Sequence, residues 1–416
     1  MPRRKRVLIL AYYFPPLGGG GVQRTLKYVK YLPSEGFDPV VVTTRAPAHP
    51  LKDHALGAEV PPEAVVLRPP EFPLHVVKWG LESALRRVGR PTRMAQAIAW
   101  PDEFIGWAPG ALFAALTAVH RYRPDVIYSS SLPMSGHVVA LALKRLTGLP
   151  WVADFRDPWV LNPQGTHLYA GISARLERLC VRSADAIIVA DDGVQVLGAP
   201  PEDPRRVVIR NGVDPNDVPT PPLTTGRSSF RLAYVGMFYG AMNGAAVFAA
   251  MRRLIARGAL EPDRFELRLV GARIDPAIDV DSLPISSRAY ADHPAAVAEM
   301  VMADALLLYL PPGWSATTGK VFEYLATGRP ILCVAPPENF GSQLVAELGA
   351  GICVAPEDPT AIERAIEQLY RSWSAGELAP SAEVRAEALR RFSREALAHE
   401  LAGVLDEARL QSPFRG

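Results

Sequence analysis

Short apolar runs alternate with helical patterns along the whole chain, and this alternation limits the folds that it can adopt. A strand, a crossover helix and a second parallel strand form the βαβ unit, so a long alternating series predicts a doubly wound parallel sheet. The first predicted strands are VLILAYY (7–13), PVVVTT (39–44), DVIYSS (125–130), PWVADF (150–155), AIIVA (186–190) and RVVIRN (206–211). A second series begins with RLAYVG (231–236), so the chain is predicted to be an α/β protein with two Rossmann-like domains.

A segment without hydrophobic period, DPNDVPTPPLTTGRSS from residue 214, separates the two series and is typical of an interdomain linker. A chain of 416 residues is also long enough for two cores. The predicted organisation is an N-terminal domain (1–215), a linker (216–229), a C-terminal domain (230–380) and a final segment (381–416) that forms one long helix.

The composition excludes some classes of partner and location. Lysine and arginine number 45 against 43 acidic residues, a net charge of +2 that gives no reason to expect nucleic acid as the main partner. The three cysteines lie in apolar segments and are predicted to be reduced core residues, as in a cytoplasmic protein. The run VLILAYYF is too short for a signal peptide, and no run reaches the ~18 apolar residues of a membrane span.

Residues 74–90 nevertheless form a predicted amphipathic helix. Its apolar stripe is Val77, Leu81, Leu85 and Val88, and its basic face is Lys78, Arg86, Arg87 and Arg90. One interpretation is a helix packed on its domain. The other is a helix on the inner membrane surface, assisted by the basic run at 3–6, that brings the protein to a lipid-linked substrate.

The sequence TGKVFEYLATGRPILCV at 318–334 predicts a helix followed directly by a buried strand. Lys320 and Glu323 lie three residues apart and share a face of the first turn. The turn after Thr318 and Gly319 offers free backbone N–H groups, so it could hold a phosphate while Glu323 accepts hydrogen bonds from hydroxyls. The alternative is an ordinary capped helix with a solvated Lys–Glu pair.

Two further sites follow strands of the first series, where open α/β sheets bind their ligands. Residues 18–21 are four glycines before a helix; Gly20, Gly21 and Arg24 could cradle a phosphate or a sugar, or the glycines form only a surface turn. The sequence ADFRDPW places three charges, Asp154, Arg156 and Asp157, at one strand end. They are either catalytic or a structural Asp–Arg pair. His137 begins a nearby helix and is a minor candidate.

No metal site is predicted. The one Asp-x-Asp triplet, Asp279 and Asp281, falls in a loop instead of at a core strand end, and the sequence has no Cys/His cluster.

Three of these motifs, GGV at 20–22, ADFRDPW and KVFEYLATGRP, resemble the GT-B glycosyltransferases, specifically the large retaining family four. The resemblance covers nearly the whole chain. It implies that Glu323 holds the ribose of a sugar nucleotide and that Gly20 and Gly21 lie against its phosphate and sugar. It also implies that Asp154 takes the place of a histidine near the transferred sugar.

The chain departs from the family pattern at three positions. Ser315 stands where the first glutamate of the E-x7-E motif is usual, although a serine could still bond sugar hydroxyls. After the Gly236 turn, Met237 and Met242 replace the arginine and lysine that serve the donor diphosphate. Lys320, Arg24, Arg210 or Arg273 would have to supply the missing positive charge.

The resemblance implies a retaining, metal-independent transfer of a sugar from a nucleotide-sugar donor to a hydroxyl of a glycan, lipid-linked or small-molecule acceptor. It requires no cofactor, since the nucleotide sugar is a co-substrate. The donor would bind mainly to the C-terminal domain in an interdomain cleft, and the last helix would cross back to the N-terminal domain. Two alternatives remain: a non-catalytic sugar-nucleotide-binding protein, and a GT-B enzyme of another class, such as a sugar-nucleotide epimerase.

Overall fold

A seven-stranded parallel sheet forms the centre of the first of two units in the computed structural model of the chain. The structure describes residues 3–45, 52–92, 98–161, 169–222, 227–238, 242–289, 291–313 and 317–411. The first unit comprises residues 1–210 and 394–416, and the second comprises 211–393.

The first unit has the strand order β3-β2-β1-β4-β5-β6-β7. Its strands are β1 (Lys5–Leu10), β2 (Phe37–Val42), β3 (Val65–Leu67), β4 (Val126–Ser130), β5 (Trp151–Phe155), β6 (Ala186–Val189) and β7 (Arg206–Val208). Its α-helices are α1 (Gly20–Tyr31), α2 (Leu74–Arg87), α3 (Ala108–Tyr122), α4 (Ser135–Thr147) and α5 (Ala170–Ser183), with a further helix at the C-terminus. Strands β4, β5 and β6 are buried along their whole length because helices cover both faces of a parallel sheet.

The second unit has six parallel strands in the order β10-β9-β8-β11-β12-β13. They are β8 (Phe230–Val235), β9 (Phe265–Val270), β10 (Ile285–Arg288), β11 (Ala305–Tyr309), β12 (Ile331–Val334) and β13 (Gly351–Val354). Its helices are α6 (Ala245–Ala256), α7 (His293–Met302), α8 (Lys320–Thr327), α9 (Phe340–Glu347), α10 (Pro359–Ser374) and α11 (Ala382–Phe392). The predicted α/β class with two doubly wound sheets is therefore confirmed.

The strand order reverses beside the first strand of each unit. β1 lies between β2 and β4, and β8 lies between β9 and β11. The crevice outside the carboxyl ends of the strands at such a reversal is where open α/β sheets bind ligands. The segments that follow β1, β4, β8 and β11 are therefore the first places to look for a site.

The one long helix expected in the segment 381–416 is two helices, α11 and α12 (Arg394–Gln411), with Ser393 extended between them. Each helix buries its apolar face in a different unit: Phe392 of α11 packs on Phe322 with ring centroids 4.9 Å apart, and Leu401 of α12 lies in the core of the first unit. The backbone breaks at Ser393, between the helix that packs in the second unit and the helix that packs in the first.

The segment expected to be a free linker is partly packed. Val213 donates its backbone N–H to the carbonyl of Phe392 (2.9 Å), and Arg385 donates to the carbonyl of Val218 (2.7 Å). Val218 is buried, so the described residues at 211–222 belong to the second unit. One cysteine also differs from expectation: Cys180 and Cys333 are buried, but Cys353 is exposed on the edge strand β13.

Candidate active site

Helix α8 presents a polar group at its first turn in the second unit. Glu323 Oε2 lies 3.2 Å from Lys320 Nζ, and Glu323 Oε1 lies 3.0 Å from His293 Nε2 at the start of α7. The structure thus brings together the two residues predicted from the sequence and adds His293. The sequence signal for His293 is the DHP triplet, in which Asp292 caps α7 by accepting from the N–H of Ala295 (3.0 Å).

The sequence of α8 explains why this turn is held firmly. Val321, Tyr324 and Leu325 are buried on one side of the helix, while Glu323 points away from the core. Gly328 ends the helix with φ of +69°, and a Cβ there would lie 2.5 Å from the carbonyl oxygen of Ser381. Glycine alone fits this close, left-handed cap, so the predicted C-terminus is found at Gly328.

The neighbours of Glu323 determine the ionisation state of its carboxyl group. Burial by itself would raise the pKa of Glu323, but attraction to Lys320 and the hydrogen bond with His293 outweigh it and lower the pKa to about 2. Burial likewise opposes protonation of His293, but its contact with Glu323 raises the pKa of the imidazole above its ordinary value. Glu323 therefore stays ionised near neutral pH and can accept hydrogen bonds only.

A cavity of about 280 Å³ in the first unit and one of about 120 Å³ in the second both lie beside strand ends. The smaller one adjoins α8 and is lined by Gly236, Met237, Thr318 and Lys320. These residues follow β8 or begin α8, as the strand reversal at β8 predicts. Lys320 is the one cation among its described lining residues.

The two methionines that replace the family's cations have different environments. Met237 is 68% exposed at the cavity, whereas Met242 is buried with its sulfur 3.5 Å from the hydroxyl of Tyr234. Met242 is thus a core residue. Arg273, one of the predicted substitutes, is exposed beyond β9 and does not line this cavity. Gly319 caps α8, and Ser315 lies outside the described residues.

At the first strand of the first unit, Gly20 and Gly21 begin α1. A Cβ on Gly21 would meet the guanidinium of Arg156 at 3.2 Å, and Arg156 donates from Nη1 to the carbonyl of Gly21 (2.9 Å). Arg156 Nε also donates to Asp157 Oδ2 (3.1 Å), whose side chain is partly exposed. The structure thus brings the glycine turn, Arg156 and Asp157 together. A Cβ on Gly20 would meet no atom of the described chain within 4 Å.

Arg24 and Asp154, two of the predicted site residues, are buried against each other. Arg24 is 1% exposed and Asp154 is 0% exposed. Arg24 Nε donates to Asp154 Oδ2 (2.7 Å) and Nη2 to Oδ1 (3.2 Å), while the hydroxyl of Tyr128 donates to the same carboxylate. The remaining donors of Arg24 bond the carbonyls of Ile209 (2.9 Å) and Arg210 (2.8 Å). Asp154 is thus in a structural Asp–Arg pair, but its partner is Arg24 and not Arg156 of the same motif.

The minor candidates are also held by the protein. His137 is buried, with Nδ1 2.8 Å from Ser129 Oγ and its ring 4.4 Å from that of Phe155. Burial lowers the pKa of His137 to about 3, so it is neutral and packed. Arg210 pairs with Asp192 (2.6 Å). Asp279 and Asp281 lie in the loop before β10, where the N–H of Asp281 donates to Asp279 Oδ1 (3.2 Å).

Helix α2 exposes the apolar stripe that the sequence predicted. Val77 is 55% exposed and Val88 is 68% exposed, whereas Leu85 is half-buried. The helix contacts its unit through His75, which packs on Phe104, and through Trp79, which donates to Glu103 (3.0 Å). Within the described ranges, no helix combines the length and the apolar content needed to cross a lipid bilayer.

Comparisons with known proteins agree with this fold. Residues 19–212 match the family model of the glycosyl transferase 4-like domain. No curated protein sequence matches the chain. Among solved structures, it is similar to a sucrose-phosphate synthase from Thermosynechococcus elongatus, with a TM-score of 0.69 and 15% identity over 97% of this chain and 99% of the other.

Two other solved structures show the same fold. A glycosyltransferase from Rickettsia africae has a TM-score of 0.63 and 11% identity over 98% of this chain and 100% of its own. An α,α-trehalose 6-phosphate synthase from Burkholderia multivorans has a TM-score of 0.61 and 14% identity over 98% of this chain and 99% of its own. Residues 19–212 thus match a glycosyl transferase 4-like domain, and the two doubly wound parallel sheets of the chain have the GT-B fold of these solved structures.

Proposed function

We propose that the protein transfers a sugar from a nucleotide-sugar donor to a hydroxyl of a glycan, lipid-linked or small-molecule acceptor, with retention of configuration and without a metal ion or other cofactor. The observation that carries this proposal is the Glu323–Lys320–His293 group at the start of α8, beside the cavity at the end of β8. A carboxylate next to a cation and a helix N-terminus matches a ligand that has both hydroxyls and phosphates.

In this proposal Glu323 binds donor hydroxyls. Its two oxygens already accept from His293 and Lys320, but a carboxylate offers about four acceptor positions, so two remain for a ribose. Lys320, the amides at the start of α8 and the turn at Gly236 bind the diphosphate. Thr318 and Gly319 place those amides, and Met237 adds an apolar contact where relatives have a cation.

Transfer requires stabilisation of the negative charge that develops on the leaving diphosphate. Fixed N–H groups and Lys320 supply it without reorganising during the reaction. The leaving phosphate accepts the proton of the acceptor hydroxyl, so no separate base is needed. On the first unit, Arg156, Asp157 and the open turn at Gly20 and Gly21 are the proposed substrate contacts. Asp154 acts only through Arg24, by holding the end of β5 against α1 and the carbonyls after β7.

Donor binding tests the role of Glu323 directly. UDP-, GDP- and dTDP-sugars are screened by thermal stabilisation, and the best donor is then titrated by calorimetry. Glu323→Ala should weaken binding by about 1.5–3 kcal/mol, the range for a hydrogen bond to a charged group.

Glu347→Ala is the matched control, because Glu347 is an exposed glutamate in the same unit that pairs with Arg391 (2.6 Å). It should leave donor affinity unchanged. Equal affinities for the wild type and Glu323→Ala would remove Glu323 from the donor site.

We also propose that α2 makes a peripheral membrane contact on the inner face of the membrane. Val77, Leu81 and Val88 of its stripe are 55%, 36% and 68% exposed, and Arg86 and Arg87 are exposed beside them. Apolar insertion combined with basic side chains suits an anionic lipid surface.

The basic run at 3–6 is not part of this contact. Arg3 pairs with Asp125 (2.9 Å) and Arg4 with Asp38 (2.8 Å) at the amino end of β1, whereas α2 packs beside its carboxyl end through Phe104 and Tyr12. These positions lie at opposite ends of β1, so the proposed contact uses α2 and not the basic run.

Liposome co-sedimentation at low and high salt tests the contact of α2. The wild type should bind vesicles with anionic lipid, and Arg86→Glu/Arg87→Glu should lose binding, at about 1 kcal/mol per charge near the surface. Arg252→Glu/Arg264→Glu, at two exposed arginines of the second unit, makes the same change of charge and should bind as the wild type does. Absence of binding at low salt would contradict the contact.

A further inference from the structure

The larger cavity, of about 280 Å³, lies in the first unit beside the carboxyl ends of β1, β4 and β5. Most of its wall is apolar or aromatic, from Tyr13, Phe104, Leu132, Met134, Trp159 and Val160. No motif in the sequence marks this cavity, because its lining comes from six separate segments of the chain that carry no common spacing. Its volume is near the lower end for small-molecule sites, so it fits one ring or a short chain.

The charged groups of this cavity are already paired. Lys78 Nζ lies 2.8 Å from Glu103 and 3.9 Å from Glu82, and Glu103 also accepts from Trp79 Nε1 (3.0 Å). Lys78 is the one cation among the described lining residues.

Asp102 is occupied as well. Its carboxylate accepts from the hydroxyl of Ser135 (2.7 Å) and from the backbone N–H of Ser135 (2.6 Å), which fixes the start of α4. Ser173, the remaining polar lining residue, accepts from Trp100 Nε1 (2.9 Å). An anionic ligand would therefore lose its hydration without gaining a free cation.

For an apolar ligand, the free energy of binding to this cavity should be favourable. Such a ligand releases water from an aromatic and aliphatic wall and disturbs no ion pair. We propose that this cavity binds the apolar body of a neutral acceptor, an alkyl or aryl group attached to the sugar or alcohol that carries the reacting hydroxyl. The inference rests on the proposed function, which it deepens by naming the chemical class of the acceptor. It excludes a sugar phosphate as the occupant of this cavity.

The inference is tested by the binding of two neutral probes and one charged probe, so the assay does not depend on transferase activity. Saturation-transfer NMR and calorimetry are run with n-octyl β-D-glucoside, phenyl β-D-glucoside and glucose 6-phosphate on the full chain. At least one of the two neutral glucosides should bind, and glucose 6-phosphate should not. Octyl against phenyl binding distinguishes an alkyl from an aryl body.

Ala170→Phe locates the binding. Ala170 is half-buried in the cavity wall at the start of α5, so a phenyl ring there fills the space, and glucoside affinity should fall at least tenfold. Ala170→Leu fills less of the cavity and should lower glucoside affinity by a smaller factor. It serves as the test if Ala170→Phe folds poorly. Ala386→Phe places the same ring on an exposed position of α11 and should leave affinity unchanged.

Two results would overturn the inference: tighter binding of glucose 6-phosphate than of either glucoside, or a glucoside affinity that Ala170→Phe and Ala170→Leu leave unchanged. Titration with UDP, GDP and dTDP separates this failure from that of the proposed function. If the protein binds a nucleotide but neither glucoside, only the proposed acceptor class is contradicted. If it binds neither a nucleotide nor a glucoside, the proposed donor site is contradicted as well.

Discussion

The buried pair of Arg24 and Asp154 should stabilise the first unit strongly, and Asp154→Ala is the sharpest test of it. The substitution removes the acceptor of two guanidinium hydrogen bonds, at 2.7 and 3.2 Å, and of the bond from the Tyr128 hydroxyl. Arg24, 1% exposed, would keep only the carbonyls of Ile209 and Arg210. A buried charge without its partner costs about 3–5 kcal/mol, so the free energy of unfolding should fall by that amount.

Urea unfolding followed by tryptophan fluorescence measures this loss. The five tryptophans at 79, 100, 107, 151 and 159, of seven in the chain, lie in the first unit, so the signal reports mainly on that unit. The midpoint should fall while the slope of free energy against urea stays constant.

The double variant Arg24→Met/Asp154→Leu should lose less than Asp154→Ala, because it leaves no unpaired charge. Asp157→Ala is the matched control. The Asp157 side chain is 42% exposed and pairs with Arg156 at the surface, so its loss should cost at most about 1 kcal/mol. A loss below about 1 kcal/mol for Asp154→Ala would refute the structural role and return Asp154 to the catalytic candidates.

Three further predictions follow from the second unit and from the proposed reaction. A Cβ on Gly351 would lie 1.9 Å from the carbonyl oxygen of Ile331 in the neighbouring strand, so Gly351→Ala should lower the free energy of unfolding by about 1–3 kcal/mol in urea; an unchanged midpoint would contradict this. Burial opposes protonation of His293, but its contact with Glu323 outweighs burial and raises the pKa of the folded state above the ordinary value of 6.5. The protonated imidazole therefore stabilises the unit fully below pH 6.5, and this stabilisation is lost as the pH rises through the raised pKa. His293→Ala should therefore cost more stability at about pH 5.5 than at about pH 9, and equal costs would refute the contact with Glu323. Transfer activity should survive excess EDTA, and a loss that Mn²⁺ reverses would overturn the metal-independent proposal.

Part of the candidate site followed from local sequence. Lys320 and Glu323 meet because residues three apart share a helix face, and Gly328 ends that helix because its position requires a positive φ. Both relations span only a few residues. His293 could not be paired with Glu323 from the sequence, since α7 and α8 are separate elements that only the packing of the second unit brings together.

For other residues, the role inferred from the sequence changed once the structure showed their environment. Charge alone marked Arg24 and Asp154 as candidates for binding and catalysis, but 130 positions separate them in the chain and burial makes them partners. The stripe on α2 was visible in the sequence, yet periodicity does not distinguish a packed apolar face from an exposed one. Exposure depends on which neighbours cover the helix, and that is a property of the fold.

The sequence by itself determined the α/β class, the two doubly wound sheets and the end of α8 at Gly328, because strand–helix alternation and glycine caps are local signals. Only the tertiary structure decided the break at Ser393, the packing of residues 211–222 and the apolar cavity beside β1 and β5. The physical reason is that these features depend on which surfaces become buried together. Burial is shared among segments far apart in the chain, so no short stretch of sequence contains it.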